Sequence, residues 1–411
     1  MRHTLTAIMA LCLAIGAASA QTVKPGIEVL RDRAFDGLKG KRVGLITNPT
    51  GVDNNLKSTI DILHEAEGVE LKALYGPEHG VRGDVHAGDH VANYTDPATG
   101  VTVYSIYGKY RKPTPEMLSD IDVLVYDIQD NGCRSFTFIS TMGLAMEACA
   151  ELDKEFMVLD RPNPIGGNKI EGCIVEDSCF SFVSQFPIPY LYGQTPGELA
   201  IYLNEEGLLA GGKKVRLTVV PMEGWRRDMD FRATGMPWVL PSPHIPTPES
   251  AIYYPMSGIM GELNFMSIGV GYTEPFKLFC ASWINAEAFA ARLNALQLPG
   301  LLFRPIHIKP FYAFGKGEDL QGVEFHVTDV EAAPLSLTQF YVIQVLAEMY
   351  PDHLTFEHAD RTRFSMFDKV CGSKEIRRRM AASYKVSDIA NYWNKDVAAY
   401  RAASSKYYIY K

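Results

Sequence analysis

Short apolar runs that alternate with helical stretches are the feature that most constrains the fold of this chain. The runs at 43–46, 71–75, 101–106, 123–126 and 156–159 have the length and character of strands, and the stretches at 58–67, 115–118 and 141–152 favour helices. Strands that alternate with helices form βαβ units, in which parallel strands are buried on both faces. The sequence therefore predicts an α/β fold around a parallel sheet in the first half of the chain.

Polar motifs rich in Gly and Pro follow these predicted strands. Because ligands bind outside the carboxyl ends of parallel strands, we expect a ligand site at that edge of the sheet. The residues expected there are Asn48, Glu78, His79, Asp127, Asp130, Asp160, Arg161 and Asn163. Strand termination by Gly and Pro and helix capping by acids explain any one motif, but they explain less well why carboxylates and cations follow several successive strands.

The second half of the chain is denser in prolines and aromatic residues. Four prolines within 241–248 predict a stiff, extended segment. This segment is either a linker between domains or a wall of the ligand cleft that presents Ser242 and His244. Beyond it, a strand at 323–327 and helices at 336–349 and 374–380 predict a mixed α+β domain.

Residues 1–20 have the pattern of a cleavable export signal. Positive residues precede an apolar run at 5–15, and Ala18-Ser19-Ala20 forms a small-residue cleavage site. The run is too short for a membrane span, and no other segment has about 18 consecutive apolar residues. We therefore expect a soluble mature protein that is periplasmic or secreted after cleavage near Ala20.

The charge balance limits the partners of the chain. Lys and Arg number 40 against 48 Asp and Glu, which gives a net charge of −8. No basic field is available for nucleic acid or for an anionic membrane surface. Local cations must therefore hold any anionic substrate.

The cysteines favour buried thiols. Of the seven cysteines, Cys12 lies in the predicted signal segment, and no CxxC motif suggests a zinc knuckle or a thioredoxin site. In a chain of this length, apolar buried thiols are the ordinary outcome. Cys173 and Cys179 are the one close pair that an oxidising compartment would allow to form a disulfide.

Motifs for cofactors are missing from the sequence. There is no GxGxxG after the first predicted strand and no P-loop, so no nucleotide cofactor is expected. There is also no GxSxG, so the catalytic triad of the α/β-hydrolases is not expected. His86 and His90 are four residues apart with Asp84 and Asp89 nearby, a spacing that would bind a metal ion on a helix. Gly83 and Gly88 disfavour a helix there, so we expect a polar loop, no metal and no cofactor.

Glu78 and the acids of a later strand end suggest glycoside hydrolysis. Glu78 lies in a tight turn between Pro77 and His79, and Asp127 or Asp130 would supply a second carboxylate. Two carboxylates are what glycosidases use, although such acids are also common as helix caps. Arg82, Arg134 and Arg161 would suit a ligand that bears a carboxylate, or they form structural ion pairs.

Several motifs in fixed order then identify a resemblance. GKRVGLITNPTGVD, ALYGPEHGVRG, AGDHV, TGVTVYSIYG, PTPEMLSDIDVLVYDIQDNGCR, VLDRPNPIGG, TPGELA and WVLPSPHIPT resemble the DUF1343 family, whose characterised members are exo-β-N-acetylmuramidases of the NamZ type. The resemblance covers nearly the whole mature chain. It implies a Rossmann-like domain, placed here at 21–225, and a smaller α+β domain at 226–411 that closes an active-site cleft.

The resemblance also implies roles for individual residues. Glu78 of GPEHG matches the leading catalytic carboxylate, with Asp127 as the first choice for its partner and Asp130 and Asp96 behind it. The residues implied as substrate contacts or as supports of the site are His79, Arg82, Arg134, Asp160, Arg161 and Asn163. The chain departs from the family pattern at Tyr192, where a His is usual, at His244, where an Asn is usual, and at Val270, where an Arg is usual.

The function that follows is removal of N-acetylmuramic acid from the non-reducing ends of peptidoglycan fragments by an exported glycoside hydrolase. The lactyl carboxylate of that sugar suits the arginines named above. Two alternatives stay open at this point: a non-catalytic periplasmic protein that binds peptidoglycan sugars on the same fold, and a metal-dependent amidase that uses His86 and His90. Fold alone does not choose among them.

Overall fold

The computed structural model describes residues 22–78, 80–83 and 93–411. Its strands are Arg42–Thr47 (β1), Glu70–Gly76 (β2), Tyr94–Thr95 (β3), Thr102–Ser105 (β4), Val123–Asp127 (β5), Glu155–Leu159 (β6), Ile170–Glu171 (β7), Leu191–Tyr192 (β8), Arg216–Val220 (β9), Leu278–Ala281 (β10), Leu301–Ile308 (β11) and Leu320–Val327 (β12). Its α-helices are Gly26–Asp32 (α1), Thr59–Glu65 (α2), Phe138–Glu151 (α3), Pro196–Glu205 (α4), Pro248–Gly261 (α5), Ala286–Asn294 (α6), Thr338–Met349 (α7), Thr355–His358 (α8), Phe364–Cys371 (α9), Lys374–Ser383 (α10), Ser387–Trp393 (α11) and Val397–Ser404 (α12).

A seven-stranded sheet organises the first half, in the order β3-β4-β2-β1-β5-β6-β9. Every pair in it is parallel except β3 with β4. The strand order reverses direction between β1 and β5, which makes their carboxyl ends the topological switch point of the sheet. The predicted α/β class with a parallel-rich sheet is confirmed.

Burial on both faces explains the apolar central strands. Val43 and Leu45 of β1 pack with Val123 and Val125 of β5 into one core layer, which also contains residues of α1 and α2. The intervening positions of these strands pack on the opposite face, against α3 and α4. Since successive side chains of a strand point to opposite faces, a strand covered by helices on both sides needs an unbroken apolar run.

The second half forms the predicted smaller α+β region. Its antiparallel sheet has the order β10-β12-β11, and a large apolar cluster joins it to α5, α6 and α7. The chain then returns to the first half, where Tyr400 of α12 is buried with α4 and donates a 2.6 Å hydrogen bond to Gln194. This return fastens the end of the chain to the parallel-sheet region.

Three expectations can be compared with the structure directly. Residues 115–118 form turns rather than the predicted helix, because Leu118 makes one helical bond to Thr114 and the next bond, from Ser119 to Glu116, already closes a tighter turn. Cys173 and Cys179 form no disulfide, and the six cysteines of the described residues are free and buried, as the buried-thiol interpretation predicts. No helix within the described ranges has both the length and the apolar character to cross a bilayer.

Candidate active site

A cleft of about 630 Å³ opens between the carboxyl ends of β2 and β4 and the region around α5. Its polar and charged lining includes Glu78, Tyr107, Arg111, Ser135, Thr137 and Ser181 from the first half and Ser242, His244, Tyr254, Glu262, Asn264, Ser267, Arg363 and Lys369 from the second. Both halves of the chain therefore build the site.

Glu78 stands at the floor of this cleft, two residues beyond the end of β2. A tight turn holds it, since the amide of Gly80 bonds to the carbonyl of Pro77 at 3.0 Å and Gly80 has a φ of 73°. The hydroxyl of Tyr107 donates to Glu78 Oε1 at 2.9 Å, and that of Thr137 donates to Oε2 at 3.3 Å. Both carboxylate oxygens are thus oriented by neutral donors, and the side chain is only partly buried.

Glu262 is the other carboxylate of the described residues that lines the cleft. It follows directly after α5 and is partly buried, and burial raises the pKa of its carboxyl while Arg363 opposes that change. Arg363 donates to the main-chain oxygen of Glu262 at 2.5 Å. No hydrogen bond reaches the Glu262 carboxylate from the described residues.

Tyr254 of α5 lies near both carboxylates. Its pKa is raised chiefly by burial, and the negative charges of Glu262 and Glu78 both add to that effect. Its hydroxyl is 3.1 Å from that of Ser135, next to the segment that supplies Thr137. The two glutamates therefore face one cleft from its two sides.

Three cationic side chains of the described residues line the same cleft. The Arg111 guanidinium lies 4.6 Å from the centre of the Phe182 ring, and Lys369 projects from α9 without an ion pair to any described residue. Arg363 precedes α9. These side chains supply positive charge close to where a substrate would bind.

The proline-rich segment forms a wall of the cleft rather than a plain linker. Ser242 and His244 both line it, and a turn bonds the amide of Ile245 to the carbonyl of Ser242 at 2.9 Å. His244 lies 2.9 Å from the Tyr312 hydroxyl. Pro248 then begins α5, where a missing N–H has no cost. Val270, the third departure from the family pattern, also lines the cleft.

Asp127 is placed differently from the sequence prediction. It is fully buried, and its carboxylate receives bonds from Arg161 at 2.5 and 3.0 Å and from Thr59 at 2.5 Å. Asp127 is not among the residues that line the cleft with Glu78. An internal ion pair between Asp127 and Arg161 therefore lies at the switch point of the sheet, outside the cleft that Glu78 lines.

The other two predicted arginines also have acceptors of their own within the protein. Arg134 is 1% exposed and donates to the carbonyls of Cys173, Ile188 and Val370, which ties the two halves of the chain together. Arg82 pairs with the buried Asp96 at 2.9 Å. Arg82 itself is exposed and also pairs with Asp61 at 3.3 Å. Neither Arg134 nor Arg82 is among the residues that line the cleft.

The polar residues expected at the other strand ends accept hydrogen bonds within turns or at the first turn of a helix. Asn48 accepts from the Thr50 amide at 3.0 Å, and Asn163 accepts from the Ile165 amide at 3.0 Å. Asp160 accepts from Thr195 at 2.7 Å and from the Gly197 amide at 2.8 Å at the start of α4, and also from the hydroxyl of Tyr410.

Asp130 and Tyr192 are partners of one another. Asp130 is buried and accepts from the Gly132 amide at 2.7 Å and from the Tyr192 hydroxyl. Tyr192, which stands where the family usually has a His, is thus an internal donor and does not line the cleft.

Some predicted residues lie outside the described part of the chain. They are His79 and the proposed metal pair His86 and His90 with Asp84 and Asp89. Among the described residues, no group of three or more His, Cys, Asp or Glu side chains is arranged to hold a metal ion.

Sequence reasoning missed most of the cleft contributed by the second half. Tyr107 directly follows a predicted strand and could have been included on that ground. Glu262 lies eight residues before Val270, one of the departures from the family pattern, and belongs to none of the motifs that carry the resemblance. Arg363 and Lys369 carry no local signal, since only the packing of α9 brings them to the site.

The family models then decide the relationship of this chain. A model described as the N-terminal domain of exo-β-N-acetylmuramidase NamZ matches residues 43–249, and its C-terminal counterpart matches residues 252–410. The chain belongs to the NamZ family. As a NamZ-family protein it is a glycoside hydrolase, and the recognised resemblance is confirmed.

Individual relatives agree with this assignment. The chain is 45% identical over 388 residues to the peptidoglycan β-N-acetylmuramidase NamZ of Bacillus subtilis (strain 168), covering 94% of this chain and 91% of that protein. A crystal structure of a DUF1343 family protein from Bacteroides fragilis is 63% identical, with a TM-score of 0.92, and covers 95% of this chain and 99% of that one. A second Bacteroides fragilis structure, 24% identical over the same shares of both chains with a TM-score of 0.73, shares the fold.

Proposed function

We propose that this NamZ-family protein is an exported exo-β-N-acetylmuramidase that releases N-acetylmuramic acid from the non-reducing ends of peptidoglycan fragments. The observation that carries the proposal is the cleft in which Glu78, oriented by Tyr107 and Thr137, lies beside free cationic side chains. The name of the Bacillus subtilis relative and the family description support the same reaction.

The charge of the cleft suits the substrate. N-acetylmuramic acid differs from N-acetylglucosamine by a lactyl ether that carries a carboxylate, and a carboxylate bound without a partner loses its solvation at a cost of several kcal/mol. Lys369 and Arg111 line the cleft without ion pairs to described residues. We therefore assign lactyl recognition to these cations rather than to Arg134 and Arg161, whose donors are used inside the fold. Arg82 is also set aside, because it pairs with Asp96 and Asp61 and does not line the cleft.

Export is part of the proposal and rests on the sequence pattern of residues 1–20. The substrate is polymerised outside the cytoplasm, so an enzyme that trims it needs to leave the cytoplasm or to receive imported fragments. Detection of the mature chain that begins near Gln21 in a periplasmic or culture fraction would support export.

The test of the reaction is release of chromophore from a 4-nitrophenyl N-acetylmuramide beside the matching N-acetylglucosaminide. We expect turnover of the muramide and little turnover of the glucosaminide. An intact disaccharide with muramic acid at its non-reducing end should give free N-acetylmuramic acid by mass spectrometry. Binding of these compounds without release of either product would favour the non-catalytic binding protein instead.

A further inference from the structure

Glu262 is the carboxylate of the cleft that no hydrogen bond from the described residues holds, whereas Glu78 has two. Two buried carboxylates of this half have charged partners: Glu324 receives Lys277 at 2.9 Å and Arg304 at 2.7 Å, and Asp368 receives Arg377 at 2.7 Å. Glu262 accepts no hydrogen bond to its carboxylate from the described residues, although it is removed from solvent enough for burial to raise its pKa.

Such a side chain costs folding free energy. A carboxyl group taken out of water without a compensating hydrogen bond destabilises the protein, and a Gln or an apolar residue would fit the same space at lower cost. Arg363 is close, but its Nε bonds the main-chain oxygen of Glu262 and leaves the carboxylate facing the cleft. A group kept at a cost on the wall of an active site is a candidate for chemistry.

Glu262 and Glu78 also differ in how they are held. Both oxygens of Glu78 accept hydroxyl hydrogens, from Tyr107 and Thr137, an arrangement that suits a charged carboxylate facing a developing positive centre. The carboxyl of Glu262 accepts no hydrogen bond from the described residues, and the cleft that it lines also contains apolar side chains such as Met266 and Ile268. Two carboxylates in contrasting surroundings are what a glycosidase uses to divide the acid from the stabilising role.

We propose that Glu262 is the general acid of this enzyme and that Glu78 stabilises the positive charge at the anomeric carbon. The inference rests on the proposed function. The proton moves from the Glu262 carboxyl oxygen to the glycosidic oxygen as the bond from that oxygen to C1 breaks, and the leaving sugar departs as an alcohol. A water molecule then adds to C1 and releases a proton that restores the carboxylic acid, so one water is consumed and no other reactant is needed.

The test uses leaving groups of different acidity, because a general acid matters only when the leaving oxygen needs a proton. Glu262→Gln should lower kcat/KM at least about a hundredfold for the disaccharide, whose leaving group is a sugar alcohol. For a 2,4-dinitrophenyl muramide, which leaves without protonation, the loss should stay within about tenfold. Glu78→Gln should depress both substrates to a similar extent, because charge stabilisation is needed in either case.

A matched control and three outcomes make the test decisive. Glu357→Gln removes an exposed carboxylate from α8, outside the cleft, and should leave both rates unchanged. Equal losses on both substrates, or no loss on either, would overturn the role of Glu262. If the wild type releases no sugar from either substrate, the proposed function itself fails, which is a different result from an active wild type with an unaffected Glu262→Gln variant.

Folding of the variant is checked separately. Gln keeps the volume of Glu262, and loss of an unpartnered buried carboxyl should leave the Tm equal or slightly higher. A markedly lower Tm together with equal losses on both substrates would mean that Glu262 supports the fold and would contradict the proposal.

Discussion

The hydroxyl of Tyr107 donates a 2.9 Å hydrogen bond to the carboxylate of Glu78, and the register of the sheet explains why these two residues meet. Strands β2 and β4 are parallel neighbours, with Gly76 paired to Ser105. Tyr107 and Glu78 each lie two residues beyond that pair, at the same edge of the sheet. The neighbouring strand thus supplies the donor that orients the carboxylate.

Replacement of Glu78 by Gln should lower kcat by about a hundredfold or more and leave the Tm nearly unchanged. The side chain is partly buried on a turn, so the substitution removes charge and little packing. Tyr107→Phe removes one donor to the carboxylate and should cost about tenfold to a hundredfold, the scale of a hydrogen bond to a charged group. Steady-state kinetics and thermal melts measure both effects, and a Glu78→Gln enzyme with the wild-type rate would exclude the assignment.

Asp127 should behave in the opposite way. Asp127→Asn leaves the buried guanidinium of Arg161 without a charged partner, so we expect a loss of about 3–5 kcal/mol in the free energy of unfolding. The kcat of the folded fraction should change only a few-fold, because the pair does not line the cleft. Urea unfolding and kinetics at low temperature separate the two. Unchanged stability with a collapse of kcat would instead support the catalytic role that the sequence first suggested for Asp127.

The parallel sheet was predictable because its signal is local. Runs such as 43–46 and 123–126 are apolar throughout, and burial on both faces is what such runs require. The strand Arg216–Val220 at the edge of the sheet was not predicted, since four of its five residues are only partly buried or exposed and its pattern is correspondingly weak.

The site was harder to predict, because a polar residue at a strand end can turn inward or outward. Asp127 and Glu78 both lie at the ends of apolar strands, yet Asp127 is buried in an ion pair with Arg161, whereas Glu78 lines the cleft. Only the strand order shows which side chains have charged neighbours in the interior. Glu262 and Lys369 could not be predicted for another reason, since they come to the site through the packing of helices that are far apart in the chain.

Asp130 should make stability depend on pH. Burial raises the pKa of its carboxyl to about 6, although bonds from Tyr192 and the Gly132 amide act against that change. The unfolded chain has the ordinary value near 4, so the folded state holds this proton more tightly. The stabilising contribution is complete below about pH 4 and is lost as the pH rises through about 6.

Asp130→Asn removes this titration and keeps the shape of the side chain. Between about pH 4 and pH 7 the wild type should lose up to about 3 kcal/mol relative to the variant, measured by urea unfolding across that range. Asp352→Asn, at an exposed position, is the control and should follow the wild type. Parallel stability curves for wild type and Asp130→Asn would show that the carboxyl is charged throughout.

Discrimination for muramic acid should depend on the cations of the cleft. Lys369 makes no ion pair with a described residue, and Arg111 contacts the ring of Phe182, so both have donors available for a lactyl carboxylate. A charge-assisted hydrogen bond contributes about 1.5–3 kcal/mol, which corresponds to about tenfold to 150-fold in affinity. Lys369→Met or Arg111→Met should therefore raise the KM for the muramide by that factor and change the KM for the glucosaminide, which lacks the lactyl group, only slightly.

Two comparisons make this prediction specific to the cleft. Lys374→Met removes an exposed cation from the start of α10, outside the cleft, and should leave the preference intact. Arg82→Met breaks the pair with buried Asp96 and should lower the Tm while affecting both sugars alike. If Lys369 and Arg111 variants keep the full preference and Arg82→Met abolishes it, the lactyl group binds where the sequence first placed it. If none of the variants changes the preference, neutral donors such as backbone amides must hold the lactyl group, since a bound carboxylate still needs hydrogen bonds to replace the water that it loses.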